Sequence, residues 1–178
     1  MIESALNEAG WDREQIDTLA VGLGPGSYTG IRVGISLAQG WQMGRGVQIH
    51  GISSMECLAA RAQAGGWRER THFVVDAQRG EFYMAAYDFD AETAKCREPL
   101  VLVSREKVQA VLDKGGRVAG PEISKWFSDG LELNPDPVTL GLLAAREQKY
   151  IPGEKLEPIY LRALTFVKAP APRHISTE

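Results

Sequence analysis

Apolar positions change their period twice between residues 16 and 52. Leu19, Ala20, Val21 and Leu23 make a short run of the kind that forms a buried strand. From residue 28 to about 43, Ile31, Ile35, Leu37 and Trp41 recur at roughly helical spacing, and residues 47–52 return to a strand-like run. Strand, helix, strand in this order predicts a βαβ unit, parallel and right-handed. Before it, Ile2, Ala5, Leu6 and Ala9 share one face of a short helix over residues 1–9, stopped at Gly10. After it, Ser53 and Ser54 cap a helix to about residue 64, with Glu56 near its positive end, and Gly65-Gly66 end it.

The second half repeats the alternation. Residues 72–76 and 81–89 read as two strands of a hairpin, and 99–103 as a third strand. A helix follows from Ser104 to about 112, then a strand over 117–120. Pro121 is placed at the first position of a helix leading to Phe127, and a last helix covers 137–148. The class is α/β, with a first unit over 1–65, a second over 66–168 and a proline-containing tail over 169–178 expected to be disordered.

Glycine marks the junction between the first strand and its helix. Gly24-Pro25-Gly26 supplies a sharp reversal and Ser27 a natural N-cap. Within the helix, Gly30, Gly34 and Ala38 stand at i, i+4 and i+8. Each helical glycine costs about 1 kcal/mol relative to alanine, so close packing has to offset them: against the chain's own sheet, a partner's helix or a ligand. Gly24, Gly26, Ser27 and Thr29 surround a helix start whose free N–H groups suit an anion or nucleotide. Neither phosphate fingerprint is met, however. No lysine follows Gly26, and Thr29 stands where the dinucleotide pattern needs glycine.

Composition narrows the function. The 178 residues are 44% hydrophobic and 24% charged, with a formal charge of −3, which is not the balance of a chain that grips an RNA backbone alone. Cys57 and Cys96 are isolated, so neither a disulfide framework nor a zinc site is expected and a reducing, cytoplasmic setting is. No apolar run approaches the ~18 residues of a membrane span. His50, His72 and His174 lie far apart, which gives no metal-binding pair, and Thr29 spoils a G-x-S-x-G nucleophile elbow at Ser27. Asp76, Arg79 and Glu81 form a charged turn. A strand-ending aspartate satisfying turn N–H groups and a solvated arginine explain it better than catalysis.

Three segments carry a family likeness. Residues 24–35, Gly-Pro-Gly-Ser-Tyr-Thr-Gly-Ile-Arg-Val-Gly-Ile, with Ala38-Gln39-Gly40, resemble the signature of the TsaB (YeaZ-like) family, a partner subunit in synthesis of threonylcarbamoyladenosine on tRNA. Val75-Asp-Ala-Gln-Arg-Gly-Glu-Phe-Tyr83 is similar to that family's second-domain hairpin, and Glu157-Pro-Ile-Tyr-Leu-Arg162 to its C-terminal motif. The resemblance implies an actin-like (ASKHA) two-lobe fold, as in Hsp70 ATPases and sugar kinases, here without the family's opening strands. It also implies a non-catalytic scaffold that binds TsaD, the subunit carrying metal and transfer chemistry, with TsaE as ATPase and tRNA engaged indirectly. By the same token the chain is a homodimer when alone and has no cofactor of its own, ATP or ADP entering only with the complex. The family is also grouped with M22 glycopeptidases. The interface it implies involves Leu6, Gly30, Ile31, Gly34, Ile35, Ala38 and Trp41. Two other readings stay open: a stand-alone nucleotide-binding transferase using the turn at Gly24, and a homodimeric binding module.

Overall fold

Strand β1 (Thr18–Gly24) runs through the glycine turn into α2 (Tyr28–Arg45), and the chain returns as β2 (Gln48–Ser53), paired parallel to β1 with Leu19 opposite Ile49 and Val21 opposite Gly51. A short helix α1 (Ile2–Ala9) precedes the unit, and α3 (Ser54–Ala64) follows it. The computed structural model describes residues 2–90 and 92–161. The tail over 169–178, with His174, lies outside the described residues. So does the end of the second unit from 162 to 168.

The local chemistry behaves as the sequence dictates. The Ser27 hydroxyl accepts from the Gly30 N–H at 3.2 Å and caps α2, and Gly46, with φ of 71°, ends it. Ser53 and Glu56 form a reciprocal capping box at α3. Gly24, with φ of 95°, holds a backbone conformation that strains any other residue, and a Cβ there would come within 2.7 Å of the end of the Ile31 side chain, which would have to shift.

A second, five-stranded sheet has the order β5-β4-β3-β6-β7, built from β3 (Thr71–Asp76), β4 (Glu81–Phe89), β5 (Ala94–Ser104), β6 (Arg117–Gly120) and β7 (Leu131–Glu132). The β3–β4 hairpin and the β4–β5 pair are antiparallel, while β6 lies parallel to β3. Helix α4 (Arg105–Asp113) puts Val108 into one face of this sheet, among Val74, Phe82, Val118 and Phe127. On the other face, α3 supplies Met55, Leu58, Ala59 and Ala62 against Phe73, Val75, Tyr83 and Ala119.

Three expectations change. Residues 121–127 are not a helix: Glu122 takes a left-handed φ of 52° and only a 3-10 turn over Ile123–Lys125 remains, because Ile123 and Phe127 are both drawn into the core beneath it. Strand β5 is five residues longer at its start than apolar content alone marked, since Ala94 to Glu98 continue the pairing with β4 through charged, exposed positions. A cut after residue 65 also does not separate the packing units. Helix α3 serves the second sheet, and the chain comes back to the first: Ile151 N–H donates to the Ile49 carbonyl, Leu156 joins Val21, Ile31, Ile35, Ala38 and Ile49, and Ile159 N–H donates to the Leu23 carbonyl. Gln39 and Gln42 clamp this returning segment at Gly153, donating to its carbonyl at 2.8 Å and accepting from its N–H at 2.6 Å. Helix α5 (Pro137–Glu147) lies alongside, in contact with α3 and β1.

Candidate functional site

The two sheets enclose an open cleft of about 1,680 Å³. Three stretches that are remote in sequence meet on its walls: the Gly24-Pro25-Gly26-Ser27 turn, the Asp76–Arg79 hairpin turn, and Pro158 with Tyr160 from the returning segment. Of the residues singled out for an anion or nucleotide, Gly24, Gly26 and Ser27 line the cleft. Thr29 faces solvent outside it.

The opposite wall is shaped by the hairpin. Asp76 accepts from the Gln78 backbone N–H at 2.7 Å and from the Gln78 amide at 3.2 Å. Gln78, Arg79 and Gly80 take φ of 64°, 60° and 75° in succession, two of them left-handed residues that are not glycine. The aspartate therefore does the turn-satisfying work expected of it, and the turn aims Arg79 at the cleft. Deeper in, Asp136 caps α5, accepting from the Thr139 N–H at 2.9 Å and its hydroxyl at 2.7 Å, with Arg61 at 3.5 Å. The Thr139 N–H, then its hydroxyl, hold the Asp136 carboxyl below the usual aspartate range. Cys57 is buried beside it and donates to the Asp136 carbonyl, and burial pushes its thiol up, away from the reactive thiolate.

At the mouth, Tyr28 and Tyr160 stack with centroids 5.4 Å apart and planes at 26°, and the Arg32 guanidinium lies 4.3 Å from the Tyr28 ring and 6.0 Å from Tyr160. The sequence reading missed this cluster. Tyr28 and Tyr160 each sat in a quoted motif, but nothing in their spacing says that the last described turn folds back onto the first helix.

The interface candidates divide. Ile31, Ile35 and Ala38 are core residues at 9%, 5% and 0% exposure, packed on Val21 and Ile49, so as partner-contacting side chains they are withdrawn. The reason is geometric: an α-helix turns about 100° per residue, so each i+4 step rotates the column by about 40°. Gly30 is exposed, Gly34 is half-buried with Val21 as its neighbour, and Ala38 is fully inside. Leu6 and Trp41 are half-buried. The stripe that does stay outside alternates steps of three and four: Gly30, Val33, Leu37, Gly40 and Gly44, all exposed, with open space around the last two.

Metal chemistry finds no assembled donors: among the described residues no three His, Cys, Asp or Glu side chains come together to hold an ion. His50 and His72 each bury an Nδ1 without a hydrogen-bond partner. No helix among the described residues is long and apolar enough to cross a membrane.

Known proteins share this architecture. Residues 1–172 match the family described as TsaD, tRNA N6-adenosine threonylcarbamoyltransferase. The tRNA threonylcarbamoyladenosine biosynthesis protein TsaB of Escherichia coli is 31% identical over 185 residues, covering 91% of this chain and 78% of the relative. The TsaB of Haemophilus influenzae is 36% identical over 85 residues, 48% of this chain and 36% of its own length. Among solved structures, YeaZ from Pseudomonas aeruginosa superposes with a TM-score of 0.71 at 26% identity, covering 90% of this chain and 81% of that one. A second P. aeruginosa structure, of an uncharacterized protein with similarity to the peptidase YeaZ, gives 0.72 at 25% identity. The fold is the actin-like α/β fold of these proteins, and the chain belongs to the TsaD family, on the branch that includes the TsaB and YeaZ proteins.

Proposed function

We propose that this chain acts in tRNA threonylcarbamoyladenosine synthesis as a non-catalytic partner of a TsaD-type transferase. The observation that carries the reading is the outer face of α2. Val33 is 59% exposed and Leu37 37%, and they stand in line with three glycines whose missing side chains let another backbone come close. An apolar seam with three-and-four spacing suits a helix of a second protein. The exposed Ile2 and half-buried Leu6 of α1 supply further apolar surface. The same seam pairs two copies when the chain is alone. ATP or ADP and the TsaE ATPase then belong to the assembled complex, as does contact with the tRNA anticodon loop, and the setting is cytoplasmic.

Gly40→Leu tests the seam, because nothing lies within 4 Å of that position and the monomer tolerates the side chain. The expected result is loss of co-elution with TsaD on a sizing column while the thermal melt of the chain alone is unchanged. Co-elution at wild-type strength overturns the seam as the interface. Failure of the wild-type chain to pair with TsaD, or threonylcarbamoyl transfer by the purified chain alone, overturns the partner role itself.

A further inference from the structure

The cleft carries two arginines that the scaffold role does not use. Five charged side chains line it: Arg32, Asp76, Arg79, Glu122 and Asp136. Each carboxylate has its own partner, Asp76 in Gln78, Glu122 in Lys125 and Asp136 in Thr139 and Arg61. Neither arginine has a carboxylate partner among the described residues. Two guanidiniums without an ion pair therefore line the same opening, one on each wall, beside three carboxylates. The Tyr28–Tyr160 stack lines the same cleft, with Arg32 over the Tyr28 ring. The three separations of Tyr28, Tyr160 and Arg32 form a triangle, far short of the span a column would require, so Arg32 leans across both rings without sealing the outer stack. Tyr28 remains 55% exposed and Tyr160 37%.

We propose that Tyr28, Arg32 and Tyr160, with Arg79 across the cleft, bind single-stranded RNA, a base stacking on the tyrosines and phosphates meeting the two arginines. This rests on the tRNA-modification reading above, which favours RNA as the occupant, and gives the chain a contact of its own with the nucleic acid. Flat rings suit any base, and guanidiniums suit the phosphate oxygens that flank it. The open position decides between strand and free nucleotide. A site for a small molecule encloses most of its ligand, whereas these rings stay exposed at an open cleft, which leaves room for a strand to continue past them. The acidic chain as a whole implies weak, salt-sensitive binding in isolation. The site is also held in place: the Ile159 N–H bond to Leu23, at 2.8 Å, fixes the residue next to Tyr160 on β1.

The test is fluorescence anisotropy of the 178-residue chain at low salt with a labelled single-stranded oligoadenylate. Competitors are an abasic strand of equal length, a blunt RNA duplex and AMP. Tyr160→Ala is expected to weaken binding roughly ten-fold or more, the loss of one stacked base. Arg32→Ala and Arg79→Asn, the latter chosen because asparagine accepts the left-handed backbone, are each expected to weaken it and to lower the salt slope by about 0.7. Melting curves and co-elution with TsaD should stay at wild-type values for all three variants, which separates this site from the α2 seam. The proposal is overturned if the abasic strand competes as well as the oligoadenylate, if AMP competes equally per mole, if wild-type chain does not bind the strand, or if the variants bind like wild type. Those outcomes leave pairing with TsaD intact, whereas loss of pairing alone strikes the partner role and not the RNA contact.

Discussion

The two sheets of this protein are held together in different ways. In the five-stranded sheet Phe73, Val74 and Phe82 are fully buried, covered by α3 on one face and by α4 and Phe127 on the other. The two-stranded sheet has α2 and the returning segment over its core, with α3 and α5 also touching β1 and β2, and Val21 and Ile31 keep 8% and 9% exposure. The first is a sheet sandwiched by its own helices. The second depends on a segment more than a hundred residues away in the chain, clamped through Gln39 and Gln42. A region closed by distant chain keeps a surface for other molecules, and both functional proposals take their residues from that side, Arg79 of the RNA site excepted.

The largest effect that can test this contrast is at Gly120. Its Cβ would lie 1.8 Å from the Val74 carbonyl oxygen, and backbone cannot yield as a side chain can. Gly120→Ala is therefore expected to cost well over the ~1 kcal/mol of a typical substitution and to lower the thermal midpoint steeply. A near-wild-type melt would mean that β3 and β6 are less tightly joined than their pairing indicates.

Next come core truncations. Phe82→Ala should cost about 3–5 kcal/mol, and Ile35→Ala about 2 kcal/mol, the low end of its class, since its surroundings are open enough to collapse. Urea titrations measure both. Equal losses would remove the distinction between the two regions. Native-state hydrogen exchange sharpens it: amides in β3 and β4 are expected to outlast those in β1 and β2.

Smaller again is the clamp. Gln39→Ala combined with Gln42→Ala leaves the Gly153 N–H and carbonyl without their partners, with an expected loss of about 1–3 kcal/mol. Exchange should speed most at Ile151 and Ile159, which bond to β2 and β1. If those amides stay protected, the packing of Ile151 and Leu156 holds the segment without the clamp.

The mildest effect is with pH. Asp136 has its carboxyl below the ordinary value in the folded chain because Thr139 donates to it. A depressed folded value adds stability above the unfolded pKa of about 4, and that contribution fades as pH falls through the lower folded value. The stability gap between wild type and Asp136→Ala should accordingly narrow on acidification below pH of about 4. A gap that does not change with pH would show that the ionised form is not what α5 needs.

What the sequence determined by itself is what neighbours in the chain decide. The periods of two and 3.6, the Ser27 and Ser53 caps, and the glycines at residues 10 and 24 placed α1, β1, α2, β2, α3 and the β3–β4 hairpin within a residue or two. The family motifs were legible for the same reason. Tertiary structure alone decided the rest. The sequence cannot announce that residues 151–160 return to the first sheet, because the four hydrogen bonds and one leucine responsible connect positions more than a hundred residues apart. Tyr160 therefore met Tyr28 only in the fold. The charged start of β5 was hidden because an edge strand takes its pairing from β4 and not from buried side chains of its own. The helix expected after Pro121 gave way because burying both Ile123 and Phe127 required a left-handed Glu122, and local propensity carries less free energy than two apolar side chains entering a core.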